Sequence, residues 1–243
     1  SCNCAQSSYH SLQIDLQRRY TNGLLFGLGY TFSHSIDNAS DKRNVLPYYL
    51  NDRSYRGSSD FDRPHILQVT YVYELPFFKN AGGLLRNTVG GWQVSGVTFA
   101  ASGSPFTLNI GGTDAAHVGN GAGGQFANLG APIVINPDSW TNYLAFGSGA
   151  TKATYIPAPG TFGNVGRNSF RGPGTWNQDF ATFKNFTPSA SHENLRLQVR
   201  GEYFNLFNHI NKTNPNSDVT SGSFGAPGAG GPRTIQLGAR LTF

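Results

Sequence analysis

Apolar and polar residues alternate over several long stretches of this chain, which is the pattern of β-strands with one apolar and one polar face. The first stretch, YHSLQIDLQRRYTNGLLFGLGYTFS, runs from Tyr9 to Ser33 and contains Asn22-Gly23 near its centre. Because Asn-Gly favours a two-residue turn, the stretch predicts a long antiparallel hairpin. Each arm has about 10 residues, which is the length of a tilted strand that crosses a bilayer.

Five further stretches show the same alternation: HILQVTYVYELPF, TVGGWQVSGVTFAASGSPFTL, NQDFATFKNF, ENLRLQVRGEYFNLFN and RTIQLGARLTF. In the last of them, which ends the chain, the apolar positions Ile235, Leu237, Leu241 and Phe243 share one face. The pattern therefore predicts an all-β chain of about seven or eight antiparallel strands.

Two regions lack this period. Residues 37–64 are rich in Asp, Arg, Asn and Tyr, and residues 111–176 are rich in Gly, Ala, Asn and Pro. So long an irregular segment is uncommon in a compact soluble domain, but the extracellular loops of a membrane barrel accommodate it. We predict a disordered segment over residues 1–8 and a β-domain over residues 9–243, with a long Gly-rich loop region at 111–176.

Composition strengthens this picture and weakens others. Charged residues make up 13% of the chain, roughly half the usual quarter, and Gly is abundant with 31 residues. Such a composition favours an extracytoplasmic all-β chain. The net charge is +5, but the arginines are spread along the sequence rather than clustered. We therefore do not expect nucleic acid as a partner.

Aromatic residues lie mainly near the predicted strand ends, as do Tyr30, Phe32, Tyr71, Tyr73 and Phe243. Membrane barrels carry aromatic girdles at both interfaces around an apolar outer band, with a polar interior. The alternative is a soluble sandwich whose aromatics fill a core, but its strands are usually shorter. The long strands favour a membrane barrel, whose outer face would be in contact with lipid.

The N terminus raises a separate possibility. Cys2 and Cys4 are separated by one residue, so a disulfide between the two would be strained, whereas inert thiols or a disulfide to another chain remain open. Two cysteines also supply only half of a tetrahedral metal site. The sequence contains no Met, from which we expect a processed or truncated product.

Catalytic and cofactor signatures are weak throughout. GNGAGG at residues 119–124 matches a dinucleotide pattern but follows no predicted strand and opens no helix. Asp37, Asp41, Asp52, Asp60 and Asp62 could ligate calcium, although solvated loop carboxylates are commoner and the twelve-residue calcium-loop pattern is missing. We expect no enzyme, no cofactor and no metal site.

The last two strands carry a polar set on the face opposite their apolar residues: Arg196, Arg200, Glu202 and Arg240. In a barrel these side chains would face the lumen. A polar ladder that holds neighbouring strands or a plug is the more ordinary role, and contact with a substrate is the alternative.

Several blocks, in this order, resemble the C-terminal part of TonB-dependent receptor-like outer-membrane proteins: YHSLQIDLQRRYTNGLLFGLGYTFSHSIDNAS, SDFDRPHILQVTYVYELPF, GGWQVSGVTFAASGSPFTL, GTFGNVGRNSFRGPGTWNQDFATFKNF, LRLQVRGEYFNLFNHINKTNPN and PRTIQLGARLTF. The resemblance is to the Oar-like group, which has a carboxypeptidase-regulatory-like N-terminal domain and is common in Acidobacteria and relatives. It covers residues 9–243. It implies that this region is a share of a large plugged barrel of about 22 strands.

Two functions follow as expectations. The first is that the chain is the C-terminal segment of a receptor-like barrel that binds or takes up a nutrient, with the remaining strands and plug of the full-length protein as partners. The second is that it is a processed β-rich fragment that assembles with copies of itself at the cell surface. Open strand edges would drive formation of an extracellular fibre or cross-β filament, and Cys2 and Cys4 could bond between subunits.

Overall fold

The computed structural model describes residues 5–40, 55–78, 88–118, 125–186 and 196–243. Within these ranges the chain forms fourteen strands and one 3₁₀ turn, Lys152–Tyr155. The strands are β1 (Ser7–Thr21), β2 (Leu24–Asp37), β3 (Gly57–Ser58), β4 (His65–Glu74), β5 (Trp92–Ala101), β6 (Pro105–Phe106), β7 (Ile133–Ile135), β8 (Leu144–Phe146), β9 (Phe170–Arg171), β10 (Thr175–Phe186), β11 (Arg196–Phe204), β12 (Lys212–Pro215), β13 (Pro227–Ala229) and β14 (Thr234–Thr242). The predicted all-β fold is confirmed.

Seven long strands form one antiparallel sheet in the order β1-β2-β4-β5-β10-β11-β14, and the short strand β3 pairs with β2. Each of the six stretches that alternate in the sequence contributes to this sheet, the first of them as two strands. Neighbours in the sheet follow each other along the chain apart from short strands in the connections. The architecture is thus an up-and-down meander, as expected for a barrel wall.

The first hairpin forms at the predicted turn. Asn22 and Gly23 have φ angles of 54° and 80°, and two successive positive values are those of the type I′ turn that suits hairpins. Thr21 pairs with Leu24 across the turn, with an irregularity in register between Arg18 and Thr21. β1 begins at Ser7, two residues before the predicted boundary at residue 9.

The sheet is open. β1 lies at one edge and β14 at the other, and neither has a second neighbour among the described residues. Most side chains of both strands are exposed. The seven long strands therefore form one sheet with two unpaired edges. Each edge carries a row of backbone N–H and C=O groups.

The two ends of the sheet differ, and we name them by their connections. At the turn end lies the Asn22-Gly23 hairpin. At the loop end β2 leads into residues 38–64, β5 into residues 102–174 and β11 into residues 205–233. The described parts of these three connections are called the loop cap. Within it β6 pairs with β9, β7 with β8 and β12 with β13.

The irregular region predicted at 111–176 has more structure than its composition suggests. It contains β7, β8, β9 and the 3₁₀ turn, and β10 begins inside it at Thr175. Together with neighbouring cap residues it also supplies the buried apolar cluster: Phe106, Leu108, Ile110, Ala115, Ala127, Tyr143, Leu144, Tyr155, Val165 and Val219. The chain's hydrophobic core therefore lies in the cap and not against the sheet.

Candidate functional site

The main sheet has one mainly polar face, which also carries Val97, Phe99 and Phe183, and one mainly apolar face. The register assigns the predicted lumen residues to the mainly polar one. Arg240 of β14 pairs with Gln198 of β11, and paired residues share a face. Arg196, Arg200 and Glu202 lie at even spacings from Gln198, so they lie on that same face. The structure thus brings these four charged side chains together on the last two strands.

Polar contacts run along this face. Arg200 Nη2 donates to Glu202 Oε1, with the two side chains 51% and 25% exposed. Gln198 Nε2 donates to Asn185 Oδ1 of β10 at 3.0 Å, which links adjacent strands. An ion pair this exposed stabilises a fold by about 0–1 kcal/mol. These charged side chains therefore make the face polar but add little to the stability of the fold.

A concavity of about 440 Å³ opens near the turn end of β1, β2 and β4. Its lining includes polar-face residues: Asp15, Gln17, Gly27, Gly29, Gln68 and Thr70. A Cβ on Gly27 would lie 2.9 Å from Thr70 Oγ1, whereas one on Gly29 would meet nothing within 4 Å. The glycines leave the floor open while carboxylate, amide and hydroxyl groups surround it, so this part of the face is suited to hydrated or polar groups.

The opposite face is mainly apolar on all seven long strands, although Thr98, Gln178 and Lys184 also lie on it. Its members in the central strands include Leu28, Leu67, Val69, Val94, Phe180 and Val199. On β14 it carries the predicted terminal set Ile235, Leu237 and Leu241, paired with Tyr203, Gly201 and Leu197. Leu237 is 81% exposed and Phe243 94%. Exposed apolar area on this scale marks a surface that is covered by lipid or protein.

Aromatic rings stand at both ends of the apolar face. Those at the loop end are Phe32, Trp176 and Tyr203, and those at the turn end are Tyr73, Trp92 and Phe186. Between them, the Tyr71 ring covers Gly96, where a Cβ would lie 2.5 Å from the ring. Aromatic rings at both ends of an apolar strand face are typical of a surface that meets two membrane–water interfaces.

One lysine interrupts the apolar face near the turn end. The Nζ atom of Lys184 lies 4.8 Å from the ring centroid of Phe186 and 5.9 Å from that of Trp92. A cation over aromatic rings is stabilised by their electron-rich faces. Because Lys184 lies among the aromatic rings at the turn end, its charge is compatible with an interfacial position.

In the loop cap a buried arginine joins segments that are distant in sequence. Arg167 Nη1 donates to Asp37 Oδ1 at 2.5 Å, and its Nη2 donates to Ser40 Oγ at 2.6 Å and to Asp60 Oδ1 at 3.2 Å. The Arg167 and Asp37 side chains are 8% and 6% exposed. A Cβ on Gly57 would lie 2.3 Å from the Arg167 carbonyl oxygen, so only glycine allows this approach.

A second arginine, Arg171, also joins segments that are distant in sequence. Arg171 Nη2 donates to Asp62 Oδ2 at 2.6 Å, and Arg171 Nη1 donates to the Asp62 and Gly103 carbonyls at 3.0 Å. Burial raises the pKa of Asp62, but hydrogen bonds from the Ser35 N–H and Arg171, with His34 nearby, outweigh it and hold that pKa below its ordinary value. Asp62 is therefore an anion that ties the cap to β2.

These contacts correct the calcium interpretation for three of its five aspartates. Asp37, Asp60 and Asp62 accept hydrogen bonds from arginines, so their charges are matched by guanidinium groups rather than held for a cation. Asp41 and Asp52 lie outside the described residues. In the ranges that the structure describes, no group of three or more His, Cys, Asp or Glu could hold a metal ion.

Two other sequence features fall outside the described ranges. The glycine-rich motif at 119–124 and the pair Cys2 and Cys4, with the intersubunit disulfide predicted for it, lie there. Of the residues that the structure does describe, none belongs to a helix that is long and apolar enough to cross a membrane.

Arg167 and Arg171 were not predicted as a pair from the sequence. They lie four residues apart in RNSFR, and their partners Asp60 and Asp62 lie two apart in DFD. The signal in the sequence was two closely spaced acidic residues in one block and two closely spaced basic residues in another. Sequence alone could not show that the blocks meet, because about 100 residues separate them.

Comparison with known proteins adds one finding. The family model described as "Outer membrane beta barrel domain" matches residues 1–236, almost the whole chain. No curated protein and no solved structure matches it. The description refers to a barrel domain in general and does not specify a class of receptor.

Proposed function

Because the chain belongs to the outer membrane β-barrel domain family and so lies in the bacterial outer membrane, we propose that it is a wall segment of a TonB-dependent receptor-like barrel that binds and takes up a nutrient. The observation that carries the proposal is the open two-faced sheet. Its apolar face, edged by aromatic bands, suits lipid, and its polar face, with Arg196, Arg200, Glu202 and Arg240, suits a lumen.

The two free edges support the larger architecture. β1 and β14 each have an unpaired side, and an open edge is not stable in the hydrocarbon region of a bilayer. We therefore infer that further strands pair with both edges and complete the barrel. Seven long strands are a minor share of the 22 strands of plugged transporter barrels.

Barrel conventions give the orientation. Outer-membrane barrels have short periplasmic turns and longer extracellular loops. The Asn22-Gly23 hairpin then lies on the periplasmic side and the loop cap lies outside the cell. In this arrangement a nutrient from outside the cell first reaches the loop cap. It then reaches the polar face, with its concavity near Gly27 and Gly29.

Paired cysteine substitutions on β14 test the two-faced wall. Gln236→Cys lies on the polar face and Leu237→Cys on the apolar one. In outer-membrane vesicles that carry the protein with Cys2 and Cys4 changed to Ser, we expect a water-soluble maleimide to label position 236 and not 237. Labelling of 237 alone, or of both positions equally, contradicts a lipid-facing apolar face.

The uptake part of the proposal needs a separate test. The gene sequence that flanks this chain should encode further alternating strands and a plug domain. Their lack would contradict a receptor-like transporter while leaving the outer-membrane location intact. If they are present, full-length protein with Arg200→Ala and Arg240→Ala should show altered uptake in a nutrient screen, whereas Leu237→Ala should not.

A second candidate function is favoured by the same edges. Long β-strands with few charges and two unpaired sides can also pair with copies of the same chain, so we infer that a released fragment could form an extracellular fibre. Cys2 and Cys4 could then join subunits. Electron microscopy of the purified chain separates the candidates: discrete detergent-bound particles favour the barrel wall, and a regular filament of stacked strands favours the fibre.

A further inference from the structure

A cleft of about 580 Å³ lies in the loop cap, apart from the polar face and from both arginine contacts. Trp140, Trp176, Phe207 and His209 supply its aromatic lining, and Asp138 and Lys212 supply charge. Trp140 is 45% exposed and Phe207 64%, although the same cap buries Tyr155 completely. Large rings left open beside a fully packed core indicate a surface that meets a ligand.

The cleft is built from three segments that are held in place. Asn211 accepts a hydrogen bond from the Trp176 N–H and donates one to the Trp176 carbonyl, both at 2.9 Å. The Trp176 ring contacts His209 and Phe207 at centroid distances of 4.8 and 5.8 Å. These contacts fix the ring before any ligand arrives, which lowers the entropic cost of binding.

The third segment carries Trp140. Lys212 Nζ donates to the Pro137 carbonyl and lies 4.8 Å from the Trp140 ring centroid. The lysine thereby holds the loop of Trp140 against the segment of His209 and Lys212. One carboxylate, Asp138, and one ammonium, Lys212, line the cleft, so its formal charge is balanced. A strongly charged ligand, such as a nucleotide with several phosphates, would meet no excess of opposite charge here.

We propose that this cleft binds a neutral saccharide unit. A sugar ring has an apolar face of C–H groups, which packs on an exposed indole or phenyl ring, and a rim of hydroxyl groups that donate and accept hydrogen bonds. Trp140, Trp176 and Phe207 supply the platforms. The Asp138 carboxylate accepts, the Lys212 ammonium donates, and the His209 ring can do either. The saccharide is either part of a glycolipid of the same membrane or a free oligosaccharide.

Tryptophan fluorescence reports this cleft with little background. The chain has three tryptophans, of which two line the cleft and the third, Trp92, lies at the other end of the sheet. The Trp92→Phe variant, folded in detergent, is titrated with three neutral probes: maltohexaose, cellohexaose and a delipidated oligosaccharide from the uncharged O-chain of lipopolysaccharide. We expect a saturable change in emission with at least one of them.

Variants locate the response. Trp140→Ala in the Trp92→Phe background should weaken binding by about tenfold or more, because it removes one platform. Phe61→Ala, at an exposed aromatic elsewhere in the cap, should leave binding unchanged. Circular dichroism checks that each variant is folded. If Trp140→Ala fails to fold, Lys212→Ala, which releases the Trp140 loop, takes its place and should also weaken binding.

The outcomes separate the sources and leave the proposal open to refutation. Binding of the delipidated oligosaccharide alone assigns the cleft to the membrane glycolipid, and binding of a glucose oligomer assigns it to free saccharide; both support the proposal. No response to any of the three probes overturns it. A response that persists unchanged in Trp140→Ala also overturns it. Intact lipopolysaccharide is titrated as a fourth ligand. If it binds and none of the three probes does, the cleft belongs to the aromatic interface band and the saccharide site is refuted.

Discussion

The loop cap and the main sheet of this chain differ in where their apolar side chains lie: those of the cap are buried, and many of those of the sheet are exposed. In the cap, which has little sequence periodicity, Leu108, Ile110 and Tyr155 are completely buried. In the sheet, which has the clearest periodicity, apolar residues such as Leu12 and Leu237 are more than half exposed. The cap therefore buries its apolar groups within the chain, and the sheet presents them to something outside it.

The difference fits a chain whose two parts have different surroundings. An apolar side chain is stabilised when it leaves water, whether protein or lipid replaces the water. The cap has a buried core of its own, and its buried Arg167 pairs with Asp37. The buried apolar cluster contains no residue of the seven long strands, and under the proposed function lipid covers their apolar face.

Tyr155→Ala should destabilise the cap most. The Tyr155 ring is completely buried and stacks on Phe146 at 4.9 Å, and its hydroxyl donates to the Pro132 carbonyl at 3.0 Å. We expect a loss of about 3–5 kcal/mol in the free energy of unfolding, because a large cavity opens and the buried Gly147 N–H, which donates to the Tyr155 hydroxyl, loses its acceptor. Denaturant titration followed by tryptophan fluorescence measures it. Phe61→Ala is the exposed control. An equal loss in the free energy of unfolding in that variant would contradict the difference between buried and exposed aromatics of the cap.

Arg167→Ala should cost a similar or slightly smaller amount, about 3–5 kcal/mol, since it leaves the buried Asp37 carboxylate without its cation. Glu202→Gln breaks the exposed pair with Arg200 on the sheet and should cost at most about 1 kcal/mol. Both are measured by the same denaturant titration. Equal costs for the two substitutions would mean that the cap pair is solvated like the sheet pair.

Leu237→Arg tests whether lipid covers the apolar face of the sheet. A charge on the lipid face near the middle of a membrane strand costs about 2–4 kcal/mol, whereas Gln236→Arg on the polar face should be nearly neutral. The measurement is unfolding of the protein from lipid vesicles by denaturant. If Gln236→Arg were the more harmful change, the assignment of the two faces would be reversed.

Acid should loosen the cap through Asp62. The pKa of Asp62 lies below its ordinary value of 3.8, so ionised Asp62 stabilises the folded state above that pH. This contribution is lost as the pH falls below 3.8 and through the lower pKa of the folded state. We expect the denaturant midpoint of the cap to drop in that range. Asp62→Asn should remove this part of the pH dependence, and an unchanged profile in that variant would point to other groups.

The sequence allowed good prediction of the sheet and poor prediction of the cap. Strand positions followed from the period of two, and Asn22-Gly23 predicted its turn because few residues accept positive φ. The same-face placement of Arg196, Arg200, Glu202 and Arg240 also followed from alternation, since strands β11 and β14 pair in register. The core of the cap could not be predicted from the sequence, because Leu108, Tyr155 and Val219 follow no repeating spacing along the chain.

The candidate sites divide in the same way. Asp37, Asp60 and Asp62 were seen as possible ion ligands, but their arginine partners are more than 100 residues away and only the folded chain shows the pairing. The aromatic cleft likewise joins Trp140, Trp176 and Phe207 from three separate segments. Nothing local in the sequence relates such residues.

Alternation along the chain was enough to place the strands, to assign their two faces and to identify residues 235–243 as a strand with an apolar face, because side-chain direction in a strand alternates residue by residue. Only the folded chain shows where the hydrophobic core lies, which arginine meets which aspartate, and which aromatic rings remain exposed. These depend on contacts between distant segments, whose geometry is set by how the loops close over the end of the sheet.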